Sequence, residues 1–62
     1  MDNERAQLSS VATALQELTD RVAQLAEESK RTTDDQASSE LFEVERTLRQ
    51  ATRRLDRLVR GA

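Results

Sequence analysis

Large apolar residues recur in this chain at intervals of three and four, in two blocks whose phases do not match. In the first half they fall at Leu8, Val11, Leu15, Leu18, Val22 and Leu25; in the second at Leu41, Val44, Leu48, Ala51, Leu55 and Leu58. Each run has the 3-4-3-4-3 spacing of the a/d stripe of a heptad helix. Leu25 and Leu41 are sixteen residues apart, which at about 100° per residue sets the second stripe roughly 160° around from the first. One straight helix would carry two stripes on opposite faces. The pattern therefore predicts an all-α chain of two helices, one folded back on the other.

The break is marked locally. Ala26 to Glu40 holds only two apolar residues, Ala26 and Ala37. Within it, Thr33 followed three residues later by Gln36 is a capping-box pattern, and Asp34 and Asp35 occupy the first turn, where the helix dipole favours acids. Lys30 and Arg31 close the preceding helix at the end that favours cations. Helix 1 is thus expected over about residues 3–31, the turn at about 31–34 and helix 2 over about 34–60, as one domain. Folding back about Thr33 sets residue i opposite residue 66 − i. Leu25 then meets Leu41, Val22 meets Val44, Leu18 meets Leu48, Leu15 meets Ala51, Val11 meets Leu55 and Leu8 meets Leu58. Those twelve side chains are the expected hairpin core, with Ser29 and Ala37 as a small layer beside the turn. Two straight helices crossing antiparallel in a dimer would obey the same sum.

A domain of 62 residues buries little surface, and short chains usually add disulfides, metal or oligomerisation. With no Cys and no His, a disulfide framework, a zinc site and thiol or imidazole chemistry are absent from the inventory. Scattered helix-surface carboxylates form no positioned acid–base pair, Ser and Thr have no base beside them, and no Gly-rich loop could cradle a phosphate. The expectation is a non-enzymatic chain without catalytic residues, cofactor, metal or small-molecule substrate. Lacking a basic-then-apolar leader and an apolar run of spanning length, it is expected to be soluble and cytoplasmic, with no membrane partner.

Oligomerisation is the aid that remains, and one flank suits it. With Leu8 as a, the e positions of helix 1 are Ala12, Thr19 and Ala26, and Ala23 lies beside them; helix 2 contributes Phe42, Thr52 and Val59. Long charged side chains normally occupy e positions. Small ones let another backbone approach, so Ala12, Thr19, Ala23, Ala26, Phe42, Thr52 and Val59 are the expected partner interface. Burying that flank against a second copy would give a homodimeric four-helix bundle.

Charge is distributed unevenly. Residues 1–45 hold four basic and eleven acidic side chains (−7), and residues 46–62 hold six basic and one acidic (+5). In the hairpin, acidic Asp2 and Glu4 come level with the Arg-rich end of helix 2. Four acid-first i, i+4 pairs (Glu17–Arg21, Glu27–Arg31, Glu45–Arg49 and Asp56–Arg60) support the helix surfaces. Arg46, Arg53 and Arg60 share the f position, with Arg49 and Arg57 beside them, over about 20 Å of helix. Such a row suits an acidic protein surface or phosphates, though no aromatic is interleaved to stack on bases.

Chain length, a turn near the middle and pairing into a four-helix bundle give a layout that resembles the plasmid-encoded Rop-type RNA regulators. The resemblance implies an architecture and not a function, because the RNA-binding face of that family includes an aromatic on the first helix and helix 1 here has none. Two functions follow as expectations. The first is a self-associating protein–protein interaction module, acting as adaptor, regulator or assembly subunit for a larger protein. The alternative is a nucleic-acid-binding bundle that uses the arginine face.

Overall fold

The break in hydrophobic phase is where the chain turns. In the computed structural model, which describes residues 2–32 and 35–61, α1 spans Asp2–Arg31 and α2 spans Asp35–Gly61. Nothing but these two helices is present among the described residues, and they pack on each other as an antiparallel hairpin. The first helix ends on cations, Lys30 and Arg31, and the second begins with Asp35 in its first turn. Each complements the partial charge of its helix end. Thr32 closes α1: its backbone N–H and its Oγ1 both donate to the carbonyl of Ser29, at 3.2 and 2.8 Å. The expected cap Thr33 and the acid Asp34 lie outside the described residues, as does the side chain of Asp2.

The two helices meet along a different line from the expected one. The buried side chains are Ala12, Thr19 and Ala26 on α1 and Ser38 and Thr52 on α2; Thr19 and Ala26 are wholly inaccessible. Five of the twelve expected core residues point away from the seam and none of the twelve is fully buried. Val11, Leu18, Leu25, Val44 and Leu58 are 45–56 % exposed, while Leu8, Leu15, Val22, Leu41, Leu48, Ala51 and Leu55 are half-buried. Relative to the expected a/d contact, each helix is turned by about 50°, from midway between the a and d positions to midway between a and e at 100° per residue.

The inversion has a physical reason. Two helices offer one line of contact, and an apolar stripe six residues deep on each is wider than that line. Small side chains on the line let the backbones approach, and the larger ones then flank it on one side. The register stays near the expected one. Ser38 Oγ donates to the carbonyl of Ala26 at 3.4 Å across the seam, so paired residue numbers sum to 64 there, against the expected 66. Hydroxyls in the seam are satisfied locally: Thr19 Oγ1 donates to the Leu15 carbonyl at 2.7 Å and Thr52 Oγ1 to the Leu48 carbonyl at 2.8 Å. Among the described residues no buried side-chain polar atom lacks a partner.

Candidate interaction face

Which side of the hairpin receives the displaced leucines follows from helix geometry. On α1 the exposed Val11, Leu18 and Leu25 each precede a buried seam residue by one position: Ala12, Thr19 and Ala26. On α2, Val44, Ala51 and Leu58 likewise each precede Glu45, Thr52 and Val59. The helices run antiparallel and face each other, so a step of the same sense from the seam leads to the same side on both. The rows Leu8/Leu15/Val22 and Leu41/Leu48/Leu55 lie between. The twelve residues read from the sequence as a core therefore stay together as a set. They form one broad apolar face of the hairpin, four rows across, and not its seam.

Ala12, Thr19, Ala26 and Thr52, expected to meet a partner, are buried where the chain's own two helices meet. Their small size serves intramolecular approach, which corrects the assignment of that flank as the outer interface. Ala23, Phe42 and Val59 are half-buried. Phe42 lies near the turn with the Lys30 ammonium 5.9 Å from its ring centroid, within the range of a cation–π contact. The side opposite the leucines is polar: a shallow groove there is lined by Ser9, Thr13, Gln16, Glu17 and Asp56, with Ala12, Thr52 and Val59 at its floor.

Arg46, Arg49, Arg53, Arg57 and Arg60 are all exposed, but the row is not purely basic. Arg49 is committed to Glu45 through its Nε and Nη2, at 2.9 and 2.6 Å from one carboxylate oxygen. Asp56 lines the same shallow depression as Arg53, Arg57 and Arg60. Of the four expected i, i+4 ion pairs, Glu45–Arg49 is the one closed among the described residues. Carboxylates interleaved with the cations lower the local positive potential that a phosphate backbone would need.

No group of His, Cys, Asp and Glu among the described residues could hold a metal, and no helix there is long and apolar enough to cross a membrane. The exposed large apolar side chains, Val11, Leu18, Leu25, Val44 and Leu58, all lie on the leucine face. No family model, curated protein or solved structure matches the chain.

Proposed function

We propose that this chain is a non-enzymatic protein–protein interaction module, an adaptor, regulator or assembly subunit that self-associates through its leucine face into a four-helix bundle. The observation that carries this reading is the exposure of Val11, Leu18, Leu25, Val44 and Leu58 on one side of a single-layer hairpin. Scattered exposed leucines are ordinary on a protein surface, whereas a contiguous apolar face bordered by polar residues marks an interaction site. The extent of the molecule along its two longer axes is 49 × 14 Å. That is a face of about 700 Å² before side chains widen it, close to the ~800 Å² per partner of a standard protein–protein interface.

Phosphate binding by the arginine row has less behind it, since Glu45 and Asp56 sit within the row and one of its five arginines is already paired. Sedimentation equilibrium at micromolar concentration tests the main reading. The wild type is expected as a dimer, and Leu18→Glu with Leu58→Glu as a monomer that keeps its helical circular dichroism, because both side chains lie outside the seam. A well-folded wild-type monomer would overturn self-association.

A further inference from the structure

Both borders of the leucine face differ in charge, and the difference selects one way of stacking two copies. On α2 the border position, three residues after each face residue or four before it, is occupied by Glu40, Thr47 and Arg54. The next row outward is Glu43, Gln50 and Arg57. Both rows run acid, neutral, base along the helix, and all six side chains are exposed. Among the described residues none of these four charged groups closes an ion pair within the hairpin. The corresponding border of α1 is Gln7, Ala14, Arg21 and Glu28, with little charge to match or to repel.

A row that reads acid–neutral–base is complementary to itself when reversed. Resting on the self-association proposed above, we infer that the partner on the leucine face is a second copy oriented so that α2 lies antiparallel on α2 of that copy. Glu40 and Glu43 of each chain then meet Arg54 and Arg57 of the other, and Thr47 lies beside the twofold axis. Symmetry makes each of these contacts twice. The hydrophobic layers agree. Reversal about a point just past Thr47 brings Val44 opposite Ala51 and Ala37 opposite Leu58, a large residue against a small one in each layer. Ser38 is level with Ala26 across the seam, so Thr47, nine residues further from the turn, is level with α1 near residue 17. Leu18 therefore lies near the same axis, and Val11 of one chain comes opposite Val22 of the other. The remaining way of stacking two antiparallel hairpins puts α1 on α2 of the partner. It offers Arg21 opposite Glu43 as its main border pair and leaves the reversed charge rows of α2 apart on diagonal helices.

Two measurements test the orientation, both on the full chain. The protein has no Cys, so Thr47→Cys is a clean probe. It is expected to oxidise to a disulfide-linked dimer, while Thr13→Cys, on the opposite polar side, is not. In the second, Glu40→Arg/Glu43→Arg and Arg54→Glu/Arg57→Glu are made as separate proteins. Each alone sets like charges opposite in every border pair and should dimerise more weakly than wild type. Mixed in equal amounts they form a heterodimer with opposite charges in every border pair, expected to be tighter than either homodimer by on the order of tenfold or more. In the α1-on-α2 arrangement the mixture still opposes Arg21 to an arginine in half of its contacts, and no such gain appears. A wild-type dimer with neither cross-link nor heterodimer preference would overturn the orientation and leave self-association standing. A wild-type monomer would overturn both.

Discussion

At the scale of single residues, the seam is sensitive to size and tolerant of lost polarity. Thr19 is wholly inaccessible, and its hydroxyl is already bonded to the carbonyl one turn back. Thr19→Val keeps the branched shape and removes a hydroxyl whose only partner is local. It is expected to change stability by less than about 1 kcal/mol. Thr19→Leu inserts a longer side chain where the helices are closest and should cost about 1–3 kcal/mol by overpacking. Urea denaturation read by circular dichroism at 222 nm would show both. Equal losses for the two variants would mean that the hydroxyl matters more than the space. Ser38→Ala removes a hydrogen bond between a side chain and the opposite backbone, 3.4 Å long. Its loss should stay near the lower end of the usual 0.5–1.5 kcal/mol, because the Ala26 carbonyl that accepts it also belongs to the ladder of α1.

At the scale of helices, much of the structure was legible in the sequence. The 3-4 spacing of Leu8 through Leu25 and Leu41 through Leu58 gave two helices, and the shift in phase between them gave the hairpin. Lys30, Arg31 and Asp35 marked the ends. What the spacing could not convey was which half of a wide apolar stripe two helices would use. Periodicity assigns a residue to a face within about half a step, and Leu18 and Thr19 are one step apart. The clue was present in another form: Ala12, Thr19 and Ala26 repeat every seventh residue, as do Ser38, Glu45, Thr52 and Val59. A row of small residues beside a row of leucines marks the line along which two helices approach most closely. On the exposed surface the energies are small. Arg49→Ala should cost no more than about 0.5 kcal/mol, since its partner Glu45 is one turn away in the same helix. Lys30→Ala, which removes the cation over Phe42, should cost about 0.5–1 kcal/mol. Thermal melts would detect the second more readily, and losses of several kcal/mol for either would mean that these side chains do more than cover the surface.

At the scale of the whole molecule, one layer of two helices has an inside only where they touch. Among the described residues the seam's buried members are three alanine- or threonine-sized residues of α1 and two small hydroxyl residues of α2, far less apolar surface than a domain usually encloses. The leucines supply what is missing only if something covers them. Leu18→Gln separates the two cases. In an isolated hairpin the residue is half exposed, and a polar replacement should shift stability by about 0.5 kcal/mol or less. In the proposed bundle Leu18 is buried near the twofold axis, so the change removes it from both chains, at roughly 1.5–3 kcal/mol for each leucine that would have been fully buried. A bundle held together by association also has a melting temperature that climbs with concentration. The expected outcome is therefore a pair of melting curves, taken over a hundredfold range of protein concentration, in which the wild-type midpoint rises. The Leu18→Gln midpoint should lie lower throughout, with the gap set by the dimer. Midpoints independent of concentration, with Leu18→Gln matching wild type, would mean that the hairpin stands alone and that its leucine face waits for a different protein.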